Sequence, residues 1–206
     1  MDIERRAFLA LAAILLCGIR AGAEEDLTGI WSAEVRTKGG LGRQMIFTPT
    51  EVNSTFGALV DLKYEIDGTL FKMIHLTPGY PPPEKLIGQP FTIDGDTLTI
   101  AQGAAGPPLV MTRVGTPHPG ANPIVGDWTY QHPAGAPAIQ RFSRNGAMQL
   151  LVVMQTVKGP YSVANDTLNI RFEGQPPGSL TIKREGNVLI ATDANGRATR
   201  YVKFEY

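Results

Sequence analysis

After residue 24 the apolar side chains of this chain recur every second residue, with no helical period among them. Tyr161 and Val163, Leu168, Ile170 and Phe172, and Leu180 and Ile182 each alternate with polar neighbours. That is the spacing of strands with one face inward and one in water. Short turn-forming groups separate the runs: Asp67-Gly68, Asp94-Gly95-Asp96, Arg144-Asn145-Gly146, Asn165-Asp166, Glu185-Gly186-Asn187 and Asp193-Ala194-Asn195-Gly196. The pattern predicts an all-β protein of short antiparallel strands joined by hairpins.

The pattern also occurs twice. Gly29-Ile30-Trp31-Ser32 recurs as Gly126-Asp127-Trp128-Thr129, and Met45-Ile46-Phe47-Thr48 lines up with Gln140-Arg141-Phe142-Ser143. Leu62-Lys63-Tyr64-Glu65-Ile66 matches Gly159-Pro160-Tyr161-Ser162-Val163, and Asp67-Gly68-Thr69-Leu70 falls on Asn165-Asp166-Thr167-Leu168. Gln89-Pro90-Phe91-Thr92-Ile93 matches Gly178-Ser179-Leu180-Thr181-Ile182, and final strands lie near Val110–Val114 and Tyr201–Phe204. The landmarks keep their order from end to end, the signature of a tandem duplication. Each copy divides into about eight short strands, and closing each sheet on itself hides its edges. The expected architecture is two tandem antiparallel up-and-down β-barrels, over 27–115 and 124–206, with a Pro/Gly linker at 116–123. If the copies are separate barrels, the segment from Ala121 onward folds alone.

Composition narrows the partners. Of 206 residues, 43% are hydrophobic and 18% charged, enough for one or two real cores. Lysine plus arginine and aspartate plus glutamate both number 19, so the net charge is zero and no nucleic-acid surface is expected. The N-terminus reads as a signal peptide over 1–23: Arg5-Arg6, an apolar run from Ala7 to Ile19, then Ala21-Gly22-Ala23, a small-x-small cleavage site. The run is too short to span a membrane and no second candidate follows, so the mature chain is expected to lack a transmembrane span. Arg5-Arg6-Ala7-Phe8-Leu9 resembles a twin-arginine export motif, and the general secretory route stays open beside it. The expected location is periplasmic or secreted, after cleavage near Ala23. The single cysteine, Cys17, lies within this segment, where Leu15-Leu16-Cys17-Gly18 leaves lipidation open. A chain cleaved after Ala23 has no cysteine for a disulfide or thiolate metal site.

Gly-x-Trp on the first strand, Phe on the second, a Tyr-x-Val/Ile then Asp-Thr-Leu hairpin and a basic-aromatic last strand together resemble the small bacterial lipocalin-like (calycin-type) barrels. The resemblance covers nearly the whole mature chain, twice over. It implies that Trp31 and Trp128 plug the closed ends and stack with basic residues of a last strand, Trp31 on Arg113 and Trp128 on Lys203. The lipocalin Thr-Asp-x-x-Tyr motif is not evident in either copy.

Candidate chemistry is sparse. The largest departure between the copies is the segment His75 to Leu86 with Pro81-Pro82-Pro83, which reads as a rim or lid, a docking segment, or an ordinary connection. His75 and Tyr80 within it, and Tyr130 and His132 at strand period from Trp128, are the expected ligand contacts. His118 reads as a solvated linker residue. The three histidines lack metal-ligand spacing, Asp94-Gly95-Asp96 reads as a turn, and no cofactor motif occurs, so no metal, cofactor or catalytic residue is expected. The leading functional expectation is an exported, non-enzymatic protein that binds a small apolar or amphipathic molecule. An envelope interaction or structural module with filled barrels is the alternative. A barrel-type enzyme is a third reading, and needs convergent titratable groups that the sequence does not display.

Overall fold

The computed structural model describes residues 26–76, 82–103 and 106–206. The signal-like segment, with Cys17 and Ala23, and the loop residue Tyr80 lie outside the described residues.

Among the described residues, seven strands come from each repeat. The first supplies β1 (Gly29–Ala33), β2 (Leu41–Phe47), β3 (Glu51–Asp67), β4 (Leu70–His75), β5 (Gln89–Asp94), β6 (Thr97–Ile100) and β7 (Leu109–Val114). The second supplies β8 (Gly126–Gln131), β9 (Pro137–Phe142), β10 (Ala147–Ala164), β11 (Thr167–Ile170), β12 (Gly178–Glu185), β13 (Val188–Thr192) and β14 (Ala198–Phe204). All pairings are antiparallel, and the strands form one ring in chain order, closed by β1 against β14. The turns match their chemistry: Asn165 and Asp166, between β10 and β11, hold φ of 49° and 59°, as a two-residue hairpin loop of type I′ requires.

The expectation of two tandem barrels therefore holds in its coarser part. The fold is all-β, antiparallel and ring-closed, but it is one 14-stranded sheet rather than one separate barrel per repeat. The reason lies in two long strands. β3 spans 17 residues and β10 spans 18, and they pair with each other across the ring, from Glu51↔Pro160 to Lys63↔Ala147. The N-terminal half of β3 pairs with β2 and its C-terminal half with β4, while β10 serves β9 first and β11 afterwards. The crossing pinches the ring into two lobes. Lobe I is made of β1, β2, the first half of β3, the second half of β10, and β11 to β14; lobe II has the remaining halves with β4 to β9.

Each lobe's core is thus shared between the repeats. Lobe I buries Leu27, Trp31, Met45, Phe47 and Val52 of the first repeat against Leu168, Ile170, Ile182, Leu189 and Tyr201 of the second. Lobe II buries Leu62, Tyr64, Phe71, Leu98 and Met111 against Ile124, Trp128, Phe142 and Met148. Matched contacts show the same exchange. Phe47 meets the edge of Tyr161 at 5.0 Å and Phe142 meets Tyr64 at 5.2 Å, and the two tyrosine hydroxyls donate to the carbonyls of Thr48 and Ser143.

The strands cross where Gly57 faces Val153, and β10 changes register between Val153 and Gln155. A Cβ on Gly57 would stand 2.1 Å from the Val152 carbonyl oxygen, so only glycine allows the two backbones this close. Gly57→Ala is expected to destabilise the protein by about 3 kcal/mol, the upper end for a point substitution. Urea denaturation followed by circular dichroism checks it, and a loss below roughly 0.5 kcal/mol, the level of an unremarkable surface change, would show that the crossing relaxes freely.

Candidate functional site

The two tryptophans mark the same end of each lobe. Both are fully buried, and both indole N–H groups donate over 2.7 Å to the carbonyl four residues back, Leu27 for Trp31 and Ile124 for Trp128. Their cationic partners differ from the sequence expectation. Arg113 lies over Trp128 at 4.1 Å, and Lys203 lies over Trp31 at 5.4 Å with Arg184 at 5.6 Å on the same ring. Strand exchange is the cause, because β7 pairs Arg113 with Trp128 and β14 pairs Lys203 with Trp31. The glycine of Gly-x-Trp leaves room for the cation. Gly29 and Gly126 have φ of +127° and +131°, and a Cβ on Gly29 would sit 2.7 Å from Lys203 Cε.

Toward the opposite end of lobe I, beginning two residues along β14 from Lys203, a concavity of about 340 Å3 opens between Leu180, Ala191, Asp193, Arg197, Thr199 and Tyr201. Leu180, Ala191 and Tyr201 belong to or pack on the core that holds Trp31, so this depression is the outer end of the lobe's interior. Asp193 and Arg197, in the β13–β14 turn, close on each other at 3.0 Å and neutralise one another at the rim. Arg43 of β2 has the inward parity of Met45 and Phe47 and donates from Nη1 to Ser54 Oγ at 2.7 Å. Burial pushes the Tyr201 phenol pKa up, and the nearby Arg43 charge pulls it the other way. The hydroxyl is neutral at physiological pH and can donate.

Lobe II lacks this chemistry at the matching places. With the ladders aligned on Trp31 and Trp128, Arg43 falls on Ala138, Ser54 on Leu150, Tyr201 on Met111 and Ala191 on Ile100. Ala33 of lobe I is replaced by Tyr130, which packs on the lobe II core and whose phenol pKa burial raises. Lobe II carries Leu150, Ile100 and Tyr130 where lobe I has the smaller Ser54, Ala191 and Ala33.

The sequence-predicted contacts sit in or beside the filled lobe. His75 ends β4, half-buried, and Tyr130 is part of the lobe II packing. His132 lies in the β8–β9 turn, where its Nδ1 accepts from the Ala134 N–H at 3.2 Å. Sequence reasoning missed Arg43 and Tyr201. The signal that could have found them is the contrast between repeats, Tyr201 against Met111 above all.

His118 is not a solvated linker residue. Its ring stacks on Tyr206 at 4.4 Å, and the Tyr206 hydroxyl donates to Asp127. Arg113 further ties the linker by donating to the carbonyls of Pro123 and Val125.

Between the lobes lies a polar seam. Ser32 Oγ donates to Gln149 Oε1 at 3.0 Å, Gln44 Nε2 donates to both, and Gln149 Nε2 donates to Asp61, which also pairs with Arg36 at 2.5 Å. Beside it Arg141, fully buried, has Nε 3.3 Å from Asp127 Oδ2, and none of its nitrogens makes a hydrogen bond with another described residue. Among the described residues no group of acids, histidines or cysteines could hold a metal, and no helix is long and apolar enough to cross a membrane. Comparison with family models, with curated proteins and with solved structures returned no match to this chain.

Proposed function

We propose that this is an exported, lipocalin-like binding protein that holds a small amphipathic molecule at the open end of lobe I, with each lobe acting as one eight-segment barrel. The observation that carries the reading is the asymmetry between two otherwise matched interiors. Leu150, Ile100 and Tyr130 fill one where the other has the smaller Ser54, Ala191 and Ala33, and a depression of about 340 Å3 opens beside Ala191 and Tyr201 in that other lobe. That volume is at the lower end for small-molecule pockets, and its lining sets the apolar Leu180 and Ala191 beside the polar Asp193, Arg197, Thr199 and Tyr201, a surface suited to an amphipathic molecule. Export rests on the N-terminal segment, and the binding role rests on the site together with the lipocalin-like strand pattern.

Trp31 provides the test, since it lies in the core beneath the site and Trp128 lies in the other lobe. Titrating Trp128→Phe with medium-chain alcohols and acids is expected to change Trp31 fluorescence saturably, at one ligand per chain. Trp31→Phe, reporting Trp128 alone, is expected to show no change. Equal responses from both indoles, or none from Trp31, would defeat the proposal.

Protein–protein contact is a second reading, favoured by Leu76 and Ile87. They flank the proline-rich segment and are 53% and 92% exposed, unusual for large apolar side chains.

A further inference from the structure

We infer that the molecule held in lobe I is an organic anion, an apolar body ending in a carboxylate or a group of like charge, and that Arg43 is the residue that selects it. The inference rests on the site proposed above and adds the charge of its occupant. Three observations support it.

Arg43 is an unbalanced charge on the inward face of lobe I, beside the concavity rather than in its lining and near enough to Tyr201 for its charge to act on that phenol. Its only hydrogen bond among the described residues goes to the Ser54 hydroxyl, and no carboxylate pairs with it, whereas the other cation at the mouth, Arg197, is paired with Asp193. A guanidinium has five N–H donors in a flat fork suited to two oxygens of one anion. Arg43 is exposed enough to keep its hydration until a ligand arrives.

The groups around it are donors. Ser54 accepts from Arg43, which leaves its own proton to give, and Tyr201 keeps its phenol proton because burial opposes ionisation. A cation with two neutral hydroxyls can satisfy an anion fully and would leave an ammonium group repelled. Leu180 and Ala191 then offer an apolar wall to the rest of the molecule.

Finally, at these three positions the charged and polar groups occur in one lobe only. Alanine, leucine and methionine stand at the Arg43, Ser54 and Tyr201 positions of lobe II, so the barrel itself does not need them for folding. A guanidinium and a buried hydroxyl kept only where the interior opens fit recognition better than structure.

The test uses the full mature chain with octanoate, octan-1-ol and octylammonium, titrated by calorimetry at neutral pH. Octanoate is expected to bind about tenfold or more tightly than octan-1-ol, the worth of one charge-assisted contact, and octylammonium more weakly than either. In Arg43→Gln the octanoate affinity should fall to that of the alcohol while the alcohol's stays unchanged, and Arg43→Lys should keep part of the preference. Tyr201→Phe should lower octanoate affinity only. Equal binding of octanoate and octan-1-ol by the native chain, or an unchanged preference in Arg43→Gln, overturns the inference and leaves the binding site standing. If Arg43→Gln fails to fold, the native preference and Tyr201→Phe decide. Failure of all three probes to bind the folded native chain removes both the anion and the site.

Discussion

A chain severed between Gly120 and Ala121 is expected to give two fragments that do not fold separately and that assemble into the native structure when mixed. Each fragment carries half of two cores. The C-terminal fragment brings Leu168, Ile170, Ile182, Leu189 and Tyr201 to lobe I but loses Trp31, Met45, Phe47 and Val52, which cover them. At about 1.5–3 kcal/mol for each fully buried side chain, those four sum to roughly 6–12 kcal/mol, comparable with the whole stability of a domain. To close on itself, the fragment would have to fold β10 into a hairpin around Val152-Val153-Met154-Gln155-Thr156, a stretch with no glycine, asparagine or proline to turn on. The stretch of β3 opposite it, Thr55 to Ala58, offers only Gly57. Fragment 121–206 alone should therefore show no cooperative thermal transition and poor amide dispersion. Mixing with the N-terminal fragment should restore both, with a mass equal to one whole chain. A cooperative transition in the isolated fragment would mean that a repeat can form its own barrel and that the exchange seen here is optional.

How far the sequence showed this outcome depends on distance along the chain. The period of two, the turns and the duplication are local signals, and the strands, the hairpin at Asn165-Asp166 and the paired tryptophans follow them. The exchange of strands left no local mark. Val52 to Ile66 alternates in the same way whether it is two strands or one, and only the partner strand, about a hundred residues away, decides. The repeat alignment also slips locally. The hairpins pair Asp94 with Thr97 and Glu185 with Val188, which sets Phe91 opposite Ile182 in the correspondence, two residues from the match made on sequence alone. The extra length of β12, eight residues against six for β5, is the source. The site was harder still. Arg43 sits in a strand whose alternation is read as core, and Tyr201 in one whose aromatic residue is read as packing. Both stand out only when the interiors of the two lobes are compared position by position.

Asp127→Ile is expected to cost about 3–5 kcal/mol, the penalty for leaving a buried charge without its partner. The double variant with Arg141→Ile is expected to lie within about 1 kcal/mol of the native protein, or above it. The first repeat supplies the reason. On the outward face beside each tryptophan, Asp127 and Arg141 are cross-strand neighbours in the second repeat, and Ile30 and Ile46 are cross-strand neighbours in the first. Ile30 is only 7% exposed, so an apolar pair is compatible with burial at this position of the barrel wall. The ion pair, by contrast, is costly as it stands. Arg141 is fully buried, its contact with Asp127 is 3.3 Å long, and its nitrogens find no hydrogen bond among the described residues to offset their desolvation. Removing Asp127 alone deepens that deficit and also strips the Tyr206 hydroxyl of its acceptor. Removing both charges leaves two well-matched isoleucines and one phenol to rehydrate. Guanidinium unfolding of the native chain, both single variants and the double variant would measure the coupling directly, because the two side chains touch and their effects cannot add. If the double variant loses as much as the two singles together, the pair contributes through contacts other than with each other. In that case the polar seam between the lobes, rather than either barrel wall, is what requires a charge there.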